Sequence, residues 1–173
     1  MYGDSQRDVH WGATARTGTL QVKMRDYTVS PRVLLALNCQ SMEELWAGMS
    51  PEQKAFLEHG VTLCASLAAW CLENNIDFGF STNGEVKTAP GEDIYLPPRC
   101  TEPQLTAVLE ALALLDIRMR IAMQTLLDHH IAAGVTDTDI LVISAYWSGE
   151  LEKRAQRLRR MGNSVTWMPI KSD

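Results

Sequence analysis

Two uninterrupted apolar runs constrain the fold more than any other feature of this sequence. Residues 33–37 read VLLAL, and residues 140–143 read ILVI within the segment DILVIS at 139–144. Runs of this kind are typical of strands that are buried on both faces. The segments around them carry helical periodicity, and helices that connect parallel strands require right-handed crossovers. The sequence therefore predicts an α/β fold, with a mostly parallel sheet and helices on both of its faces.

The bulk composition fits one domain. With 173 residues, the chain is long enough for a sizeable core and too short for two ordinary ones. We assign residues 31–173 to the α/β domain. Residues 1–30 are polar and lack helical periodicity, so we assign them to a short N-terminal arm, with an edge strand or hairpin expected over 19–23. The net charge of −5 argues against a nucleic-acid partner, which requires a basic face.

Neither a membrane contact nor a disulfide framework is expected from this stretch of chain. No apolar run approaches the roughly 20 residues of a membrane helix, and the N-terminus lacks a signal pattern. The four cysteines form no CxxC pair. Cys64 and Cys71 lie seven residues apart on one face of a predicted helix, so we interpret them as small buried apolar residues. We expect a cytoplasmic domain.

The first half of the domain has clear start signals. Ser50, Pro51 and Gln53 form a capping box with a proline at the first helical position, and the apolar periodicity continues to residues 74–75. Residues 76–81 predict a second strand. Asn83 and Gly84 are typical of a two-residue hairpin turn, so residues 85–88 are expected to return as an antiparallel strand.

The second half continues the alternation of helices and strands. Thr101 and Gln104 repeat the capping-box spacing before a second helix, and a third helix is expected over 118–133, ending at Gly134. After the strand at 139–144, Ser148 caps a helix, and residues 164–170 form the closing strand.

In sheets of this type, ligands bind beyond the carboxyl ends of the strands. The loops 38–42 and 145–147 occupy that position. Tyr146 and Trp147 are residue types that anchor protein interfaces, and packing of Trp147 into the core is an equal alternative. Trp46 and Met49 would extend the same surface.

The N-terminal residues carry a family resemblance. GDSQRDVHW at 3–11, ARTG at 15–18 and LQVK at 20–23 resemble the signature of the bacterial domain-of-unknown-function-58 family. The signature positions are Gly3, Asp4, Arg7, Trp11 and Arg16. Asp4, Arg7 and Arg16 are interpreted as a structural clasp, with a docking motif as the alternative.

The resemblance implies a von Willebrand factor A-like domain that works beside a MoxR-type AAA+ ATPase. In that family, transmembrane helices and a β-rich region precede the signature, so we expect the full-length protein to be anchored in the inner membrane, with this domain on the cytoplasmic side. This chain would then be a fragment that begins partway through the architecture.

The resemblance also locates a metal site that has lost its ligands. Metal-competent von Willebrand A domains end the first strand in DxSxS and add a threonine and an aspartate from later loops. The matching positions here hold Asn38, Gln40, Met42, Thr101 and Ala145, and Ser41 lies out of register. Because Mg²⁺ needs anionic oxygen, we expect neither a metal nor another cofactor.

We therefore expect a non-catalytic adaptor that binds the ATPase or its client. The expected partner surface is Asn38, Gln40, Ser41, Met42, Thr101, Ala145, Tyr146 and Trp147. The alternatives are a metal-assisted hydrolase with unrecognised ligands and a magnesium-dependent adhesion domain. The sequence has no GxxxxGK phosphate loop. His129 and His130 are interpreted as a solvated helix end, and the basic residues of 153–160 as an exposed helix face.

Overall fold

The computed structural model describes residues 30–42 and 50–170. The N-terminal signature, the strand expected at 19–23, Trp46 and Met49 lie outside these residues. The helices of the described part are α1 (Pro51–Glu73), α2 (Glu102–Ala113), α3 (Met123–Ala132) and α4 (Gly149–Arg160). Its strands are β1 (Arg32–Leu37), β2 (Asp77–Thr82), β3 (Gly84–Val86), β4 (Ile94–Arg99), β5 (Leu115–Met119), β6 (Asp139–Ser144) and β7 (Ser164–Pro169).

Five strands form the main sheet, in the order β4-β2-β1-β6-β7. Strand β1 pairs in parallel with β2 and β6, and β6 pairs in parallel with β7. Only β4 is antiparallel. The remaining strands, β3 and β5, pair with each other in a separate antiparallel ribbon. This architecture confirms the predicted α/β fold with a mostly parallel sheet.

Helices cover both faces of the sheet, as the VLLAL run predicts. Side chains of a strand alternate between faces. Val33, Leu35 and Leu37 belong to the core cluster that includes α1 and α2, whereas Leu34 and Ala36 belong to the cluster that includes α3 and α4. All five are fully buried. Burying each large side chain contributes on the order of 1.5–3 kcal/mol, so β1 is the centre of both cores.

The predicted helix boundaries are confirmed where a side chain caps the helix. Ser50 accepts a hydrogen bond from the Gln53 backbone N–H, and the Gln53 side chain accepts one from the Ser50 N–H. Thr101 and Ser148 cap α2 and α4 in the same way, although Gln104 uses its side chain elsewhere. Cys64 and Cys71 are buried in the core, as expected.

The predicted hairpin at Asn83 and Gly84 is wrong. A two-residue hairpin of that type needs positive φ, and neither residue has it. The chain instead runs on from β2 into β3, which pairs with β5 and not with β2. The Asn83 side chain is fully buried and bound to the loop after β1, so it does not face solvent as a turn residue would.

The third helix is shorter than predicted, and one strand was missed. Residues 115–119, which continue the apolar series of α2, form β5, so the predicted helix over 118–133 is wrong in its first part. Gly134 ends α3 with a φ of 70°, as predicted. Strand β4, which reads IYLPPR, was not predicted, because its two prolines argue against a strand.

Both lateral strands of the main sheet are protected against further pairing. Prolines lack a backbone donor and occur on edge strands, where they block pairing. Strand β4 contains Pro97 and Pro98. Strand β7 ends in Pro169, and the Val165 carbonyl accepts a hydrogen bond from Arg159 at 2.9 Å. These features disfavour the addition of a sixth strand at either side.

Gly79 allows β2 and β4 to approach at a register shift. A Cβ atom there would overlap the Leu96 carbonyl oxygen and lie 2.9 Å from the Pro98 nitrogen, both of which are backbone atoms. We expect Gly79→Ala to lower the free energy of unfolding by at least about 2 kcal/mol in urea titrations, because strained cores lose 1–3 kcal/mol or more. Gly149→Ala is the matched control, since a Cβ there meets nothing within 4 Å. Equal stability of the two variants would contradict this close approach.

Candidate functional site at the carboxyl edge of the sheet

Three strand ends meet at one side of the sheet, here called the carboxyl edge. Leu37 is paired with Thr82 on one side and with Ile143 on the other. The residues that follow in each strand are Asn38, Asn83 and Ser144. All three are at most 2% exposed, so their polar groups must be satisfied within the protein.

Asn38 binds both neighbouring strand ends. Its Nδ2 donates to Ser144 Oγ at 2.9 Å, and its Oδ1 accepts from Asn83 Nδ2 at 2.9 Å. The same Oδ1 accepts from the Gln40 backbone N–H at 2.9 Å, which shapes the loop. Asn38 therefore needs one donor group and one acceptor group, and an amide supplies both.

Gln40 connects this network to α3. The helix has Ala122 at its N-cap position, without a side-chain cap. Gln40 Oε1 accepts the Met123 backbone N–H at 3.0 Å and the Tyr146 hydroxyl at 3.3 Å. The amide oxygen thus satisfies an N–H group that would otherwise be unpaired at the start of the helix.

Asn83 closes the other side of the network. Its Oδ1 accepts the Cys39 backbone N–H at 2.7 Å. A Cβ atom on Gly84 would lie 2.6 Å from Cys39 Sγ, so the chain after Asn83 runs against the loop after β1. Burial raises the pKa of the Cys39 thiol to about 11. The thiol is protonated at neutral pH and is a poor nucleophile.

Two stacked tryptophans lie beside the network. The rings of Trp147 and Trp167 have centroids 5.9 Å apart and planes 17° apart. Trp147 donates from Nε1 to Glu152 at 2.9 Å, and Trp167 donates from Nε1 to the Ser144 carbonyl at 3.1 Å. Trp147 is partly buried against the core, and Trp167 is 38% exposed. Of the two alternatives considered for Trp147, packing against the core is confirmed, and a role as an interface anchor stays a prediction.

The structure brings most of the expected surface together, except Thr101. Asn38 and Gln40 are buried, Ser41, Ala145, Tyr146 and Trp147 are partly buried, and Met42 is 54% exposed. Thr101 lies at the opposite side, because β4 is antiparallel and Arg99 pairs with Phe78 near the start of β2. Its hydroxyl caps α2 there. The expectation that Thr101 adjoins the other residues is therefore not met.

Sequence reasoning missed Asn83, Ser144 and Trp167. The signal for Asn83 and Ser144 was their position, because each lies at the carboxyl end of a strand next to β1. Because Asn83 and Gly84 were interpreted as a turn, Asn83 was not considered as a residue of the site. Trp167 could be located only from the β7 register, which pairs it with Val142 on the α4 side of the sheet.

The donor set at this edge does not fit a hard divalent cation. The network consists of amides and hydroxyls, and the Asn38 oxygen already accepts two hydrogen bonds. Mg²⁺ and Ca²⁺ are bound chiefly by carboxylate oxygens. Within residues 30–42 and 50–170, no three His, Cys, Asp or Glu side chains are grouped for a metal. A crevice beside Ser41 and Ala145 measures about 10 Å³, the space of roughly one water molecule.

The interpretation of His130 as part of a solvated helix end is wrong. His130 is 4% exposed, and its Nε2 lies 3.0 Å from Ser81 Oγ. His129, the neighbouring residue, is half exposed and pairs with Asp93 at 3.1 Å. Ser81 is fully buried, so a substrate does not reach this Ser-His pair, and we regard it as a satisfied pair of core polar groups.

Burial gives His130 a defined effect on stability. Desolvation, with a smaller contribution from His129, lowers its pKa from 6.5 to about 4. The unfolded chain binds a proton at a higher pH than the folded chain does, so the free energy of unfolding falls as the pH falls from about 6.5 towards 4. The full shift corresponds to about 3 kcal/mol.

We expect His130→Gln to remove this part of the pH dependence in urea unfolding curves recorded across that range. His129→Gln is the control, and it should keep most of the dependence, because it removes only the smaller of the two causes that lower the pKa of His130. If the free energy of unfolding falls with pH equally in wild type and His130→Gln, His130 is not the source of this pH dependence.

The basic residues of α4 are largely paired. Arg154 binds Asp128 and Glu150, each at 3.0 Å, and Arg159 binds Glu152 at 2.7 Å. Lys153 binds Glu150 at 2.6 Å. This pattern agrees with an exposed helix face interlaced with ion pairs.

Asn38→Asp tests the network directly. The substitution keeps the shape but replaces the donor that faces Ser144 with a buried, charged acceptor. We expect a loss of about 2 kcal/mol in the free energy of unfolding at pH 7, shrinking as the pH falls and the carboxylate is protonated. Asn75→Asp makes the same change at an exposed position and should have little effect. A neutral or stabilising Asn38→Asp would show that the edge accommodates negative charge.

A scan against models of known protein families and a search of curated proteins found no match to the chain.

Proposed function

We propose that this domain is a non-catalytic protein-interaction module that binds its partner at the carboxyl edge. The main support is the chemistry of that edge, which joins a buried network of neutral amides to a stacked pair of tryptophans, of which Trp147 is partly buried and Trp167 is 38% exposed. Neutral amides and hydroxyls that bind one another are poor acids, bases and nucleophiles. They serve to hold a surface in a fixed shape.

The tryptophan pair supplies the contact area of this surface. Tryptophan is enriched among residues that dominate binding energy, especially where its rotamer is already fixed. Trp167 is fixed by its hydrogen bond to the Ser144 carbonyl and by stacking on Trp147. A ring held in this way loses little conformational entropy when a partner covers it.

The partner that we propose is a MoxR-type AAA+ ATPase or its client, on the cytoplasmic side of the membrane. This choice rests on the resemblance of residues 3–23 to the domain-of-unknown-function-58 signature, and on an element order that suits a von Willebrand factor A-like domain. Under this proposal, the metal-dependent contact of related domains is replaced by the aromatic contact.

Trp167→Ala is the test. We expect it to weaken capture of a purified MoxR-type ATPase from the same organism by about 30-fold in surface-binding assays, the effect of a hot-spot residue worth about 2 kcal/mol. Circular dichroism should show an intact fold, since Trp167 is 38% exposed.

Leu109→Ala is the control, because Leu109 is 41% exposed on α2, which covers the other face of the sheet from Trp147 and Trp167. It should leave capture unchanged. If Trp167→Ala and Trp147→Ala both bind as wild type does, the carboxyl edge is not the interface. Absence of any binding by the wild-type chain would remove this ATPase as the partner.

A further inference from the structure

Asn83 and Gly84 form the sequence pair in which an asparagine most readily loses its side-chain amide. The backbone nitrogen of the following residue attacks the side-chain carbonyl carbon, and glycine leaves that nitrogen unshielded and free to rotate into place. Asn83 is the only asparagine of the sequence that precedes a glycine. A solvent-exposed turn would leave the pair open to this reaction, whereas Asn83 is fully buried. The chain therefore has a reactive pair at the centre of its amide network.

The reaction, deamidation, has a defined geometric requirement. The Gly84 nitrogen loses its proton and bonds to Asn83 Cγ, the Cγ–Nδ2 bond breaks, and ammonia leaves. Water then opens the cyclic imide at either carbonyl and gives aspartate or isoaspartate. Before these steps, the peptide unit between the two residues and the Asn83 side chain must rotate until the nitrogen meets Cγ.

The peptide unit between Asn83 and Gly84 is held at both of its polar groups. The Asn83 carbonyl accepts the backbone N–H groups of Arg120 at 2.8 Å and Ile121 at 3.3 Å. The Gly84 N–H donates to Thr82 Oγ1 at 3.1 Å. Because the unit is planar and carries both groups, a rotation that turns the nitrogen towards Cγ breaks all of these hydrogen bonds.

The Asn83 side chain is held as well. Its Oδ1 accepts the Cys39 N–H at 2.7 Å, and its Nδ2 donates to Asn38 Oδ1 at 2.9 Å. Gln40 Oε1 lies 3.5 Å from the same Nδ2. Rotation of the amide would leave these partners buried and unpaired, which opposes the first step. Water must also take up the proton and open the imide, and it does not reach a side chain that is 0% exposed.

We propose that Asn83 is a deamidation site that the folded network protects and that unfolding exposes. In the deamidated chain, an aspartate at 83 places a carboxylate oxygen against Asn38 Oδ1, where the native chain has a donor. An isoaspartate adds a methylene to the backbone between β2 and β3. Neither product fits the network, so deamidation of an unfolded molecule is irreversible damage. The inference concerns the buried network alone and does not depend on the partner proposed for the carboxyl edge.

The first test is peptide mapping by mass spectrometry of the full chain after incubation at mildly alkaline pH, either folded in buffer or unfolded in urea. We expect Asn83 to deamidate at least about 100-fold more slowly in the folded chain, since local opening of a core segment is rare. Equal rates in the two states overturn the proposal.

Thr82→Val tests whether the network, rather than general stability, gives the protection. The substitution keeps the side-chain shape and removes the hydroxyl that accepts the Gly84 N–H. We expect deamidation of the folded variant to be about tenfold faster than in wild type, because an unpaired buried donor favours local opening. Thr138→Val is the matched control, since it removes the hydroxyl of another buried threonine, which donates to the Thr136 carbonyl. Rates that rise equally in both variants, or in neither, overturn the proposal.

Refolding tests the consequence of the reaction. Samples are held unfolded in urea with a reducing agent, at mildly alkaline or mildly acidic pH, and are then diluted into the same neutral buffer. Acid slows deamidation because less of the Gly84 nitrogen loses its proton. We expect the folded fraction from the alkaline sample to fall in step with the loss of the Asn83 amide, and the acidic sample to refold fully. Deamidated chains that refold and are as stable as wild type overturn the proposal.

Discussion

The two amide hydrogen bonds of Asn38, to Asn83 and to Ser144, are the interaction on which the arrangement of this domain depends. They join the carboxyl ends of β1, β2 and β6, where the backbone ladder of a parallel sheet stops. Because Asn83 is bound there, the chain continues into β3 rather than turning back, and β3 then pairs with β5. Gln40 extends the same network to the first turn of α3. One buried polar cluster thus sets the path of four separate segments.

The same cluster sets the charge and the shape of the carboxyl edge. Helices α1, α3 and α4 begin near this edge, so the positive ends of their dipoles lie close to it. A cation is unfavourable there unless carboxylates compensate, and the network supplies amides instead. In the proposed function, the stacked pair of partly buried Trp147 and exposed Trp167 beside the network supplies the protein contact, which needs a rigid surface more than it needs charge. Under that proposal, the network supplies the rigidity on which the contact depends.

Elements with local signals could be predicted from the sequence. The capping residues Ser50, Thr101 and Ser148 define helix starts through contacts within three residues, and the VLLAL and DILVIS runs define strands through composition. The hairpin prediction at Asn83 is wrong because a contact with Asn38, 45 residues away in sequence, overrides the local turn preference. The prediction that His130 is solvated is wrong for a related reason, since its buried ring pairs with Ser81 in β2, which is distant in sequence. Thr101 was assigned to the site through the family resemblance, and the antiparallel strand β4, which was not predicted, places it at the opposite end of the sheet.

The most direct test of this account is a thermal melt of the wild-type chain with and without excess Mg²⁺, Mn²⁺ and Ca²⁺. An ion that binds only the folded state must raise the melting temperature, by an amount that grows with the logarithm of its concentration over its dissociation constant. We expect no shift with any of the three ions, because the oxygens of the amide network already accept hydrogen bonds. A saturable rise in melting temperature that Asn38→Ala abolishes would contradict it and would identify the carboxyl edge as a metal site.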